Sequence, residues 1–267
     1  MAITTLAGVN SGARPPVMFH KFMGSGGAAG RAFSLFYAPG YPAAATAPTP
    51  GLAGAALTSY AGQLGWNNPA SGNSYLSRLQ ASANTAGTLL LCDRLWHNSG
   101  LSLTTITAQT INSAAWPARD SNAAVSGEDV LIGLEITTAT GAGIPVLSMT
   151  YTNSAGAGSK VGAGILSTVA STAIGSFFPM GLAAGDTGVQ SIQDFTFSAT
   201  WTSGAASLVA YRIIAALEIP STFNTSAIEA VSASFPQMFD DTVPFLIYLP
   251  STSTTPAVNG QLIYTQG

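Results

Sequence analysis

The chain has 267 residues, 47% of them hydrophobic and 7% charged, with a formal net charge of −3. That apolar content can bury a sizeable core and excludes charge-driven disorder, while the shortage of ions is far below the roughly one quarter found in ordinary soluble domains. Four scattered cations before Asp93 and four after it are too few for a nucleic-acid surface, which needs clustered basic residues. No uncharged apolar run lasts the roughly 20 residues that a membrane helix requires.

The charges are divided along the chain. Residues 1–92 contain Arg14, Lys21, Arg31 and Arg78 and no carboxylate; from Asp93 onward eleven acids face four cations. Halves of opposite sign suggest that the front segment meets an acidic surface, such as the later part of a neighbouring copy. A single cysteine, Cys92, cannot make an intrachain disulfide and fits folding in a reducing cytosol. The first twenty residues are broken by Asn10, Gly12, Arg14, Pro15 and Pro16, so no secretion signal is read there.

In chain order, residues 1–72 stand apart as an extended Gly/Pro/Ala-rich N-terminal arm. The runs Gly24–Gly30 and Tyr41–Gly51 are too rich in glycine and proline for long helices or central strands. The arm nevertheless carries Phe19, Phe22, Phe33, Phe36, Tyr37 and Tyr41, with Arg31 among them. Those seven side chains are the expected interaction residues, because exposed aromatics need a covering surface. That surface is either the body of the same chain or a neighbouring subunit.

The body is expected over residues 73–267. Ser74 as cap with Tyr75, Leu76 and Leu79 on one face predicts a short helix over about 74–84. Strands are then predicted over 88–96, 101–111, 130–138, 145–152, 190–201, 207–219, 243–249 and 260–265, with a weaker one within 161–178. The alternation is cleanest in Val130–Thr138, where Val130, Ile132, Leu134 and Ile136 oppose Gly133, Glu135 and Thr137. Eight short strands between Gly-, Asn- and Ser-rich turns, without crossover helices, predict an all-β, jelly-roll-like antiparallel β-sandwich.

The stretches Leu134–Thr140, Met149–Gly156, Leu182–Ile192 and Gly260–Gly267 resemble structural proteins of tailed-bacteriophage virions, over roughly residues 88–267. The resemblance implies a capsid decoration or cement protein that binds the major capsid protein and stabilises the head, on the capsid surface of a virion made in the host cytoplasm. A homotrimer packed about a three-fold axis would suit such a role. A tail-tube, baseplate or major capsid component, or a receptor- or glycan-binding fibre module, are the alternatives. On this reading a chain lacking residues 1–50 folds but no longer enters particles.

Catalytic signals are weak, and no enzyme activity, cofactor or metal is expected. Gly24–Ala29 fits a dinucleotide fingerprint only formally, because prolines flank it and the first acid is Asp93. Asp186-Thr187-Gly188 matches an aspartic-protease tripeptide but occurs once and reads as a turn. Cys92, Asp93 and His97 are too few ligands for zinc. Glu128-Asp129 and Asp240-Asp241 lack the spaced oxygens of a calcium loop. Trp96, Trp116 and Trp201 form either a sugar platform or buried sheet ends.

Overall fold

The computed structural model describes residues 5–24 and 27–267, built from one short helix and seventeen strands paired antiparallel throughout. In chain order these are α1 (Leu6–Gly12), β1 (Val17–Phe22), β2 (Ala32–Ser34), β3 (Gly40–Tyr41), β4 (Ala55–Ala56), β5 (Ser74–Ala83) and β6 (Gly87–His97). There follow β7 (Gln109–Thr110), β8 (Leu131–Thr138), β9 (Leu147–Asn153), β10 (Lys160–Gly164), β11 (Ser176–Gly181) and β12 (Val189–Phe197). The last are β13 (Ala205–Ile219), β14 (Ser226–Glu229), β15 (Gln237–Met238), β16 (Pro244–Pro250) and β17 (Ala257–Gln266). Among the described residues no helix is long and apolar enough to cross a membrane.

The fold is all-β and layered, of the sandwich or jelly-roll type, and its central layer is a closed sheet. The ring β2–β16–β6–β13–β8–β11 returns to β2 through pairings of Ser176 with Phe33 and Phe177 with Ala32. Closure removes the open edges that a flat sheet would present. Side chains alternate across the wall. Ala32, Cys92, Phe177, Val209, Tyr211, Phe245 and Ile247 fill the interior, while their sequence neighbours point outward.

Those outward residues make two further cores. On one side Leu89, Leu91, Leu217, Leu246 and Tyr248 of the wall meet Phe19, Leu76, Leu79, Val258 and Leu262 of the sheet β14–β5–β17–β1–β3. On the other, Ile132, Leu134, Ile136, Phe178 and Leu208 meet Met149, Tyr151, Ile192, Phe195 and Phe197 of the extension β10–β9–β12–β7. The long strand β13 serves both cores. Register shifts at Ala210/Tyr211 and Ile213/Ala215 rotate its faces, so Leu208 joins one core and Ile214 the other.

Seven of the eight expected strands are present. The exception is 101–111, of which only β7 pairs; Leu101, Leu103 and Ile111 are instead loop residues that plug a core. The weaker strand within 161–178 resolves into β10 and the start of β11. The helix expected over 74–84 is the strand β5. Leu76 and Leu79 share a face because a bulge opposite Ile263/Tyr264 inserts a residue between them, which imitates helical spacing. Pairing along both edges, with β17 and β14, overrides local helix propensity.

The segment 1–72 contributes four strands to these sheets. Strand β1 pairs along β17 and β2 is a wall strand of the barrel. The covering surface for Phe19, Phe33 and Phe36 is therefore the body of the same chain. The helix α1 has no buried residue but rests against the end of β17, where the Gln266 carbonyl lies against Gly12; Thr5 Oγ1 caps it by accepting from the Gly8 amide at 3.0 Å.

Candidate interaction site

The few charges are distributed in a way that composition did not reveal. Lys21, Asp93, Arg94, Arg119, Asp120, Glu135 and Arg212, seven of the nineteen ionisable Lys, Arg, Asp and Glu side chains, are buried. Inside the barrel Arg94 donates to Glu135 at 2.6 Å and its guanidinium lies 4.6 Å from the Phe36 ring centre. Burial works against the Arg94 charge, but Glu135 together with Tyr37 and Tyr60 outweighs it, and the pKa is raised. Arg119 grips Asp93 through two bonds of 2.9 and 3.1 Å and also donates to the Leu57 carbonyl. Arg119 on Asp93 is a fork-to-carboxylate pair, whereas Arg94 and Glu135 share a single bond that leaves Arg94 Nη1 and Glu135 Oε1 without a hydrogen-bond partner inside the barrel.

The residues singled out for chemistry are committed to structure. His97 accepts at Nδ1 from Arg94 Nε, and burial, with Arg94 beside it, lowers its pKa to about 3. Burial pushes the Cys92 thiol up. No group of three or more His, Cys, Asp or Glu among the described residues is placed to hold a metal. The Asp186 carboxylate accepts from Tyr151 Oη at 2.6 Å and Asn153 Nδ2 at 2.7 Å, bonds that hold its pKa below the usual range. Trp96, Trp116 and Trp201 are buried core, so none offers a sugar platform. In the glycine run 24–30, residues 25 and 26 lie outside the described residues.

The expected interaction residues separate into two sets. Phe19, Phe33 and Phe36 are core, and Tyr37 is largely covered at the barrel. Arg31 donates to the Ser167 carbonyl at 3.0 Å. Phe22 and Tyr41 remain exposed, at 46% and 65%, and share the outer face of the sheet containing β1 with Met18 and His20.

With the ions withdrawn, the surface retains four cations and eight carboxylates and presents apolar side chains instead. On the extension sheet, Val161 of β10 lies beside Thr150, and Ala163 beside Ser148. Ile165 follows the end of β10 and Val146 precedes the start of β9. Ile144, Val146, Val161 and Ile165 are all 62–65% exposed. Only Val161 stands in a strand; Ile144 and Val146 lie in the loop before β9 and Ile165 in the loop after β10.

No protein-family model matches the chain, and no curated protein matches it. Among solved structures, a chain from infectious bursal disease virus, Gt strain, aligns with 95% of this chain and 80% of its own length at 11% identity and a TM-score of 0.22. The VP2 subviral particle of infectious bursal disease virus aligns with 97% of this chain and 82% of its own at 8% identity and a TM-score of 0.22. Similarity at that level carries no argument, and function rests on the surface itself.

Proposed function

We propose that the chain is a structural subunit of a virus particle, a capsid decoration protein of a tailed phage that packs on the major capsid protein and on copies of itself, as a trimer. The observation that carries this reading is the exposure of Ile144, Val146, Val161 and Ile165, on β10 and in the loops flanking β9 and β10, on a charge-poor surface. Such a face loses little desolvation energy when it is covered, because few ions must be stripped of water. Many equivalent sites on a shell would multiply modest contacts into stable attachment. The layered β body, closed at its centre, supplies a rigid support for that face.

The N-terminal segment adds α1, which buries nothing of its own and carries Leu6 at 67% exposure. Two of the buried cations, Arg94 and Arg119, are paired with Glu135 and Asp93 and enclosed by the fold, away from any substrate.

The test is quantitative mass spectrometry of purified particles, combined with add-back of Val161→Asp/Ile165→Asp protein to particles lacking the chain. Hundreds of wild-type copies per particle, with attachment lost in the double variant, is the expected result. Tens of copies or fewer would instead favour a fibre or baseplate position, and absence from particles would overturn the virion assignment.

A further inference from the structure

The outer face of the sheet β14–β5–β17–β1–β3 differs in chemistry from the aliphatic face. Two cross-strand rows stand on it. One row is Met18–Gln261–Gln80; the other is Tyr41–His20–Asn259–Ser82, each set by strand register. Between them runs the row Phe19–Gly260–Ala81, whose side chains point into the core or are absent, so only backbone forms the floor. The result is a trough of about 360 Å³ crossing the strands, with Thr225 at one end and Tyr41 at the other. Three inter-strand spacings give it a length of roughly 14 Å, and two residues of rise separate its walls by roughly 7 Å.

The walls are built from amides and hydroxyls. Gln261 Nε2 donates to Gln80 Oε1 at 3.2 Å and Ser82 Oγ donates to Asn259 Oδ1 at 3.1 Å. Each bond orients an amide and leaves its other half available. Gln80 and Asn259 keep their NH₂ donors and Gln261 its carbonyl acceptor. The face is electrically neutral: Lys21 is turned inward onto the Ala38, Pro42 and Ala43 carbonyls, and Arg78 pairs with Glu229 at 3.3 Å. Tyr41, 65% exposed on the two-residue strand β3, offers a ring face at the end of the trough.

We infer that this trough is a binding site for a neutral oligosaccharide, with Tyr41 stacking on a sugar ring and Gln80, Gln261, Asn259, Ser82 and His20 bonding its hydroxyls. A sugar hydroxyl both donates and accepts, and paired amides that expose one donor and one acceptor match that alternation. The electron-rich face of the tyrosine ring attracts the polarised C–H groups of a pyranose. An anionic ligand would find no free cation here. An apolar peptide would leave the wall amides without partners, at a cost in affinity. The site is distinct from the aliphatic face and stands without the virion assignment.

The experiment screens the full chain on immobilised neutral oligosaccharides, with sialylated and sulfated glycans as charged controls, and quantifies hits by titration calorimetry. Binding to a neutral glycan is expected, weakened at least tenfold by Tyr41→Ala and by Gln261→Ala, and retained by Tyr41→Trp. Thermal melts of the variants should match wild type, because Tyr41 lies outside the core. Val161→Asp/Ile165→Asp should bind the glycan normally, which separates this site from the association face. Failure to bind any neutral glycan, preference for the charged controls, or affinity that survives Tyr41→Ala with Gln261→Ala would overturn the inference. So would loss of self-association in those two variants with no glycan bound.

Discussion

His97 is held neutral by its surroundings, because its Nδ1 accepts from Arg94 and its burial excludes the water that would stabilise a second proton. The unfolded chain protonates this imidazole below about pH 6.5, whereas the folded chain resists down to about 3. Between those values the unfolded state binds more protons, so stability falls as the pH drops, by up to about 1.4 kcal/mol per unit. Asp186 and Asp120, whose pKa values are lowered by hydrogen bonds in the fold, act in the same direction at lower pH. Urea midpoints measured at pH 7, 5.5 and 4.5 should fall progressively. His97→Gln, which keeps an acceptor for Arg94 and cannot titrate, should flatten the decline between pH 6.5 and 4.5. A slope unchanged by that substitution would assign the acid sensitivity elsewhere. The Arg94–Glu135 pair beside it is a different kind of residue-scale commitment: removing one partner alone strands the other charge in the barrel, which is costlier than replacing both.

At the scale of elements, the closed sheet depends on how tightly β8 and β11 approach. Gly133 pairs with Pro179 while facing the Phe177 ring, and a Cβ added at Gly133 would overlap that ring. Phe177 is itself packed edge-on against Tyr211, with ring centres 5.3 Å apart, so it cannot retreat. Gly133→Ala should therefore destabilise the protein by about 1–3 kcal/mol, the usual cost of overpacking a filled core, measured as a lower urea midpoint with unchanged slope. A stability equal to wild type would mean that the barrel interior has room to repack. The strand β5 teaches the complementary lesson. Its Leu76/Leu79 spacing reads as a helical face in isolation, and only the bulge formed against β17 explains it.

At the scale of the molecule, the N-terminal segment is threaded through the layers. Deleting residues 1–50 would remove β1, β2 and β3, opening the barrel and stripping Phe19, Phe33 and Phe36 from two cores. The expected outcome is an aggregated or unfolded product, where the arm expectation anticipated a folded body. Deleting residues 1–12 removes α1, which has no buried residue and touches the body at the end of β17, and should leave the melting temperature nearly unchanged. Circular dichroism and thermal melts of the two truncations check this; a cooperative, native-like melt of the larger deletion would show that the outer layers fold without the closed ring. The smaller truncation also asks whether α1 contributes to association, read as oligomer mass by sedimentation.

Much of the strand content was legible because alternation of period two is a local property: Ile132, Leu134 and Ile136 against Gly133 and Glu135, or Phe195 and Phe197, declare their faces without reference to anything distant. The polar pairs Gln80/Ser82 and Asn259/Gln261 of the trough walls lie about 180 residues apart, and only pairing of β5 with β17 brings them together. The low charge content was likewise determined by sequence alone. Which charges vanish inside was decided by the tertiary structure, since closing β8 against β11 converts the outward face of Glu135 into the lumen of a barrel. A strand knows its two faces from its own residues. What covers each face depends on partners far away in the chain, and that is why the closed ring, the buried ion pairs and the trough appear only in three dimensions.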